Sequence, residues 1–550
     1  MKTKILWIDL NCSYAHASLA LPALHAQMMD RADVEWQVVS ATVNENPGST
    51  VEKIFRHRPD ILAATAWLFN HEALLHIASR AKALLPHCQL VLGGPEFLGD
   101  NEAYLRQHPY VDAIFRGEGE ESFPQWMACR TQKEAWRNVD GLCYLESPGG
   151  AYIDNGTARV ARFEQLVPPE ASPFFNWDKP FVQLETTRGC FNTCAFCVSG
   201  GEKPVRTLPL ADIRERLENI RRHGIRDVRV LDRTFNYNAT RARELLRLFR
   251  TFHPDLRFHL EIHPALLNDE LKALLKEEIP AGLLHLEAGI QSLHDDVLRA
   301  CRRKGDLQTS LDGLHFLCSL PHLVTHADLI AGLPHYRLSQ IFDDVRTLAG
   351  YRAGEIQLES LKVLPGTAMR NQATELGICY SPLPPYEVLK THDLSPAELQ
   401  TARLLSRLLD GYYNTAAWQE VTRQLILHDS DFLPCFLDDL TQRNVIDQPL
   451  SLEHRGILLY GFCQKHYPAF VGSVTQAWIE AGLSLKKSPA ERVRTKHIVP
   501  PEHWKVLKGT YKPSLRLCFL PTDDEGTQGY WYGYESEMQV AQPVFKAMSD

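Results

Sequence analysis

The sequence predicts an α/β protein in three parts: an N-terminal Rossmann-like parallel-sheet domain, a partial (β/α)6 barrel of TIM type, and a mainly helical C-terminal domain. Three observations carry this. Over residues 1–125 short apolar runs alternate with helical patterns, as parallel strands joined by crossover helices require. Between residues 181 and 370 six more strand-like runs are separated by helical stretches, and from residue 395 apolar positions recur at helical spacing. A chain of 550 residues exceeds what one core serves, so several domains are expected.

In the first part, residues 5–8, 36–39, 61–66 and 90–92 read as strands, with 19–29, 51–57 and 72–85 as helices between them. Ligands of such sheets sit at the carboxyl ends of the strands. The loops there are Asn11-Cys-Ser-Tyr-Ala-His16-Ala-Ser-Leu19, Thr65-Ala-Trp67, Gly93-Gly-Pro-Glu96 and Arg116-Gly-Glu-Gly-Glu120. Glycines recur where backbone must come close to something. None of these loops matches the dinucleotide fingerprint, so their spacing alone names no ligand. His71-Glu72 and His76 miss the zinc-helix spacing by one residue, and five helical steps turn through about 140°, so they read as surface or core residues. Residues 126–180 read as a connector, with a turn at Asn155-Gly156 and a stiff Val167-Pro-Pro-Glu-Ala-Ser-Pro173.

The barrel strands are placed at 181–186, 227–231, 257–262, 283–287, 324–330 and 355–361, with helices such as 213–222 and 241–252 between them. Function in barrels collects where strands end, which singles out Asp232, Glu261, His263, Glu287, Gln291 and Glu359. Any one of them alone reads equally as a cap or loop residue. The third part, 371–550, follows Pro382-Leu-Pro-Pro385 and opens on Ser395-Pro-Ala-Glu398, a capping box with Pro at the first helical position. Helical patterns continue to about 482, the basic run 486–496 near Pro500-Pro501 reads as a solvated linker, and Tyr530-Trp-Tyr-Gly-Tyr534 as a closing strand.

A formal charge of −8 gives no nucleic-acid footprint. Residues 1–9 read as a first strand rather than a signal peptide, and no run of about 18 apolar residues predicts a membrane span.

Chemistry concentrates in Glu185-Thr-Thr-Arg-Gly-Cys190-Phe-Asn-Thr-Cys194-Ala-Phe-Cys197, where three cysteines stand close enough for one loop to turn their thiolates together. A structural zinc site wants four closed ligands, and no fourth Cys or His follows within the loop; the next cysteine is Cys301. An iron–sulfur cube held by three thiolates would keep one iron open. Zinc, or three unconnected buried thiols, remain the plainer alternatives. The spacing, with Arg-Gly before it and an aromatic before the third cysteine, resembles the signature of radical S-adenosylmethionine (SAM) enzymes. The resemblance implies a [4Fe-4S] cluster on Cys190, Cys194 and Cys197 that chelates SAM and cleaves it to a 5'-deoxyadenosyl radical. It also implies Phe196 beside the adenine, close backbone approach at Gly189, and positive charge from Arg188. The stretches Leu231-Asp-Arg-Thr-Phe-Asn236, Glu287-Ala-Gly-Ile-Gln-Ser292 and Asp328-Leu-Ile-Ala-Gly-Leu-Pro334 resemble others in that family. They imply SAM contacts from Glu287 and Gln291, with Asp232 near the methionyl end; Ser199-Gly-Gly-Glu202 and Arg206 suit SAM binding as well.

The loops of the first part resemble the cobalamin-binding domain that precedes the barrel in one branch of that family, Gly-Gly-Pro and Gly-Glu-Gly-Glu being its markers. The implied cobalamin contacts are Asn11, Ser13, Ser18, Thr65, Gly93, Gly94, Glu96, Gly117 and Glu118. Many such domains place Asp-x-His-x-x-Gly after the first strand; here Asn11 stands at the His position and Tyr14 at the Gly position, so an axial imidazole from this loop is not implied, and His16 is a weak substitute. A Rossmann-like scaffold without cobalamin is the alternative.

The tail resembles the uncharacterised C-terminal domain of some cobalamin-type radical SAM proteins. Cys301, Cys318, Cys379, Cys435, Cys463 and Cys518 are isolated and form no second ligand set. The resemblance implies methyl transfer through cobalamin. A cobalamin-assisted rearrangement, cyclisation or oxidation is the alternative within radical chemistry, and a non-catalytic cobalamin or redox sensor the alternative outside it. The expected partners are a substrate the sequence does not name and an electron donor such as flavodoxin or ferredoxin. Thirteen cysteines and an oxygen-sensitive cluster point to the reducing cytoplasm.

Overall fold

The computed structural model describes residues 2–13, 18–483, 487–490, 515–521, 529–535 and 545–548. The chain packs as two units, one of residues 1–325, 332–336 and 360–396, the other of 326–331, 337–359 and 397–550. Tyr14, His16, Lys486, Lys496, Pro500 and Pro501 lie outside the described residues.

The first unit opens with a seven-stranded sheet in the order β2-β1-β3-β4-β5-β6-β7. Its elements are β1 (Thr3–Asn11), α1 (Ala20–Ala26), β2 (Val34–Thr42), α2 (Pro47–His57), β3 (Ile61–Thr65), α3 (His71–Leu84), β4 (Gln89–Gly93), α4 (Glu102–Gln107), β5 (Ala113–Phe115), α5 (Gly119–Cys129), β6 (Leu142–Leu145) and β7 (Tyr152–Asp154). The first five strands are parallel. They read as continuous apolar runs because both faces are covered. Leu6, Ile8 and Leu62 pack with Ile54 of α2 and Ile77 of α3 on one face. Ile5, Trp7 and Val91 pack with Leu21 of α1 and Trp126 of α5 on the other. The order β2-β1-β3 reverses direction between β1 and β3, the switch point outside which such sheets bind ligands.

The sheet does not end at residue 125. β6 and β7 add two antiparallel strands inside the stretch read as a connector, turning at Ser147-Pro-Gly-Gly150, where Gly150 N–H donates to Ser147 O. At four and three residues they were too short to show a period.

The same unit continues with β8 (Phe181–Leu184), a two-residue pair β9 (Thr187–Arg188) and β10 (Arg206–Thr207), α6 (Leu210–Arg222), β11 (Asp227–Val230), α7 (Ala239–Arg250), β12 (Arg257–Ile262), α8 (Asp269–Glu277), β13 (Leu284–Gln291), α9 (Asp295–Ala300) and α10 (Leu307–Cys318). β8, β11, β12 and β13 are parallel neighbours in the order β13-β12-β11-β8. Alternate residues Phe258, Leu260, Leu284 and Leu286 are buried, which leaves His259, Glu261, His285 and Glu287 together on the other, half-buried face.

The second unit holds most of β14 (Val324–Ala331), then α11 (Leu338–Gly350) and β15 (Glu355–Ser360), followed by helices Pro396–Leu408, Gln419–His428, Phe432–Gln442, Leu452–His466 and Val471–Glu480. The helix foreseen at the capping box buries Leu399, Ala402, Leu405 and Leu408, as its spacing required. It runs on into a π-helical turn, Leu409–Tyr413. Beyond that turn Asn414 pairs with the main chain of β15, its Oδ1 accepting from Ile356 N–H at 2.9 Å and its Nδ2 donating to Ile356 O at 3.0 Å. Tyr530–Tyr534 falls within Gly529–Glu535, the middle rather than the closing strand of a three-stranded antiparallel sheet with Leu515–Pro521 and Phe545–Met548. No helix among the described residues is long and apolar enough to cross a membrane.

Candidate active site

The cysteine loop leaves β9 through Gly189, whose φ of 106° is left-handed and whose missing Cβ would stand 2.7 Å from Glu202 O. Glycine is required there by neighbouring backbone. The loop is clamped from behind. Cys190 N–H donates to Glu202 O (2.9 Å), Gly201 N–H to Asn192 O (2.7 Å), Ala195 N–H to Cys301 O (2.8 Å) and Met369 N–H to Ala195 O (2.8 Å). Buried Asn192 accepts from Thr193 N–H and Lys304 N–H on its Oδ1. Each main-chain group bonded outward fixes the loop and leaves the thiols as its inner lining.

Cys190 and Cys194 are buried and Cys197 is half-buried. Burial pushes the Cys194 and Cys197 thiols up, opposed by the Arg303 charge at Cys194 and the Arg233 charge at Cys197, while the thiols raise one another. They are therefore neighbours. Yet no group of three His, Cys, Asp or Glu side chains among the described residues is arranged to hold a metal ion. An iron–sulfur group would take one thiolate at each of three irons, so it would need these thiols as neighbours rather than as ligands of one ion. Cys301 is fully buried with its thiol pushed up to about 12 by burial, an inert core residue as expected.

The strand-end residues separate into supports of the loop and a half-buried polar face. Asp232 is completely buried and accepts from Thr186 N–H and Thr187 N–H, both at 2.8 Å, and from the Thr186 hydroxyl. Burial raises its pKa against those hydrogen bonds. Its oxygens are thus engaged by the turn that carries Arg188 and Gly189 into the loop, which makes it a positioning residue for that turn. His263 is buried behind the loop with Nε2 3.1 Å from Lys304 O, and burial lowers its pKa to about 4, so it is neutral. Glu287 faces the polar side of β13 with His259 Nε2 2.8 Å from its Oε2. Beside it Glu261 is pushed up to about 7 by burial and by Glu287, with Arg233 pulling it down. Gln291 ends β13 at φ 76°, left-handed for a non-glycine residue, with its Nε2 lying where a side chain at Gly289 would stand. Phe196 is half-buried within the loop, and Glu359 is exposed on β15 in the second unit.

A charge network that sequence reasoning missed ties the loop to the first sheet. Glu118 binds Arg206 through both guanidinium Nη atoms, accepts from Val160 N–H at 2.6 Å, and lies 3.7 Å from Arg188. Arg188 reaches Glu120 at 2.9 Å and Glu185 at 2.6 Å. Burial works against the Glu118 carboxylate, but these partners together hold its pKa below the ordinary value. Half of the Gly-Glu-Gly-Glu motif therefore bolts the sheet to the cysteine loop, with Arg206 as one of its partners. Gly117 likewise answers to backbone: a Cβ would stand 2.3 Å from Ala158 O. The local signals were Glu185 three residues before Arg188 and Glu202 four residues before Arg206; the Arg188–Glu120 and Arg206–Glu118 pairs are 68 and 88 residues apart.

Both halves line one cavity of about 1160 Å³. Asn11, Ser18, Thr65, Gly93, Gly94, Gly117 and Glu118 border it at the carboxyl ends of the first sheet, and Arg188, Gly189 and Ser199–Glu202, which flank the three cysteines, border it with Arg233 at the other side; Cys190, Cys194, Cys197, Phe196, Glu287 and Gln291 lie outside its lining. That volume exceeds the roughly 300–1,000 Å³ of drug-sized sites, as a corrin-sized ligand would need. No described histidine borders it, while Trp67 and Phe69, stacked at 6.3 Å, do. Ser13 and Glu96 lie outside the lining. Glu96 is buried, accepting from the Tyr386 hydroxyl at 2.6 Å, with its pKa raised by burial. His71 stands 4.0 Å from it and packs on Tyr104, a core residue as its spacing implied.

Three family models match the chain: the Radical SAM superfamily over residues 184–348, the B12 binding domain over 10–126, and a protein of unknown function (DUF4080) over 374–466. Among curated proteins it is 25% identical over 319 residues to an uncharacterized methyltransferase, PH0819, of Pyrococcus horikoshii, covering 55% of this chain and 68% of that one. It is 24% identical over 337 residues to the cobalamin-dependent radical SAM methyltransferase TokK of Streptomyces tokunonensis, covering 56% and 48%, so the match spans about half of that relative's length. Among solved structures it resembles the radical SAM methyltransferase TsrM of Kitasatospora setae with cobalamin and [4Fe-4S] cluster bound (TM-score 0.56, 17% identity, 72% and 81% covered). It also resembles the cobalamin-dependent S-adenosylmethionine radical enzyme OxsB with aqua-cobalamin bound (TM-score 0.61, 12% identity, 87% and 79% covered). These two likenesses show a shared mixed α/β fold with parallel sheets. The chain thus carries a radical SAM domain, with a B12-binding domain ahead of it and a DUF4080 domain behind it.

Proposed function

We propose that the chain is a cobalamin-dependent radical SAM methyltransferase acting on a carbon centre that side-chain chemistry does not activate. One observation carries this: a single cavity is bordered at one side by the strand ends of the B12-binding sheet and at the other by the residues that flank the three cysteines, Arg188-Gly189 and Val198–Glu202. Two cofactors held at those borders would face one another across a common space. On this reading the first sheet is the Rossmann-like cobalamin domain, the βα repeats from β8 to β15 are the partial (β/α)6 barrel, and the chain works in the cytoplasm with a one-electron donor.

Cys190, Cys194 and Cys197 would hold the [4Fe-4S] cluster, Gln291 and Glu287 the polar groups of SAM, and the loops at Asn11, Thr65 and Gly93-Gly94 the cobalamin. When bound, the cluster and SAM supply radical chemistry and cobalamin carries the methyl group, chemistry that side chains lack. The chain's own residues position and shield. Asp232 sets the turn feeding the loop, the Glu118–Arg206–Arg188 network fixes the loop against the sheet, and the apolar wall at Ala63, Ala64 and Trp67 keeps water from the reacting space.

Anaerobic reconstitution with iron, sulfide and hydroxocobalamin, then SAM and reductant, tests this. Wild type should retain cobalamin and form both 5'-deoxyadenosine and S-adenosylhomocysteine, and Cys194→Ala should form no deoxyadenosine. Deoxyadenosine without S-adenosylhomocysteine would point to rearrangement, cyclisation or oxidation instead. Retained cofactors without any SAM turnover would leave a sensor.

A further inference from the structure

Reductive cleavage of SAM needs an electron delivered to the cysteine loop, and the cysteines outside the loop stand isolated in the sequence. The segment backing the loop is Arg299-Ala-Cys-Arg302-Arg303-Lys304, four cations in six residues of a chain with formal charge −8. Its main chain is bonded directly to the loop: Cys301 O accepts from Ala195 N–H, Arg302 O from the Thr193 hydroxyl at 3.2 Å, and Lys304 N–H donates to Asn192 at 3.0 Å. Arg303 turns inward, one Nη 3.6 Å from the Cys194 sulfur and the other on Gly289 O. Arg299, Arg302 and Lys304 turn outward and are exposed. Among the described residues none of the four forms an ion pair with a carboxylate; the outward guanidinium of Arg302 meets only the neutral Gln372 at 2.6 Å.

A second observation is independent of charge. Arg302 follows helix α9 at φ 54°, the left-handed position where glycine or asparagine is usual. Arg58 and Arg352 adopt the same conformation after their helices, so at Arg302 it fixes where the chain turns and presents the side chain beside the loop.

Resting on the iron–sulfur reading above, we propose that Arg299, Arg302 and Lys304 form the docking face for an acidic one-electron carrier protein of the flavodoxin or ferredoxin class, with Arg303 and Cys194 as the entry to the cluster. The carrier's reduced centre loses one electron and the iron–sulfur group gains one; no bond forms or breaks at the interface. Clustered charge at such a contact mainly steers association, so the complex should be weak, fast to form and sensitive to salt.

The test uses the full-length reconstituted protein, titrated separately with a bacterial flavodoxin and with a [4Fe-4S] ferredoxin, Kd being read by calorimetry at low and high salt. Arg299→Glu/Arg302→Glu should weaken the binding of whichever carrier wild type binds by about tenfold or more, and salt should weaken wild type similarly. Lys53→Glu, exposed on helix α2, should change nothing. Lys304→Glu serves as an independent variant should the double one fold poorly. With dithionite as reductant the variants should form deoxyadenosine like wild type, showing an intact loop. Unaltered carrier binding in the charge-reversed variants, no binding by wild type in either arm, or an RNA bound at this face in place of a carrier would each overturn the proposal. Failure of wild type to cleave SAM with dithionite would instead sink the iron–sulfur reading itself.

Discussion

Glu261 and Asp232 are both carboxylates at strand ends, and the sequence ranked them alike. Burial separates them. Asp232 is surrounded by donors from its own chain, whereas Glu261 sits half-buried beside Glu287 on the polar face with its pKa near 7. No sequence pattern distinguishes a carboxylate that caps a turn from one that faces a ligand, because the difference lies in which backbone N–H groups a distant loop brings to it. For Glu261 the consequence is a pH effect on the cofactor-free protein. Its folded pKa lies above the ordinary 4.5, so the folded state holds the proton longer than the unfolded one. The resulting stability is fully present below about pH 4.5 and is lost as pH rises to about 7. Glu261→Gln should therefore gain on wild type by on the order of 3 kcal/mol in going from pH 4.5 to pH 8. Chemical denaturation of both proteins across that range checks it; a gap independent of pH would refute the account of Glu261.

Elements with a strong period were legible, and elements defined by partners were not. Four of the five parallel strands of the first sheet, and β8, β11, β12, β13, β14 and β15, appeared as strand-like runs inside or close to their observed bounds, whereas β5, three residues long, was not read. β6 and β7 were invisible, being short and stabilised by pairing with β5 rather than by pattern. The ion network at Glu118 was also hidden, since charge pairs between distant elements leave no local trace. The edge of β15 gives another case. An edge strand exposes unpaired backbone, and Asn414 covers it by offering its side-chain amide as a short substitute strand to Ile356. Asn414→Ala should lower the stability of the second unit by about 1–3 kcal/mol, the cost of leaving a donor and an acceptor without partners. Urea unfolding of the full chain measures this, and a change under about 0.5 kcal/mol, as at an ordinary surface position, would show that the amide is dispensable.

At the scale of the whole molecule, the cofactor chemistry came from the resemblance of the cysteine motif and the glycine-rich loops to a known family rather than from their spacing, and Gly117 and Gly189 answer to neighbouring backbone. What that resemblance left open was whether the two sets of loops share a space. The first unit supplies that: strand ends and the residues that flank the three cysteines border one cavity and are joined by Arg188, Arg206 and the paired glutamates. The most direct test is magnetic. In protein loaded with cob(II)alamin and a reduced [4Fe-4S] cluster, electron paramagnetic resonance should show the cobalt signal broadened and relaxing faster than in Cys194→Ala protein loaded with cobalamin alone. A cobalt signal indifferent to the reduced cluster would mean that the cofactors do not share the cavity, and would contradict the account.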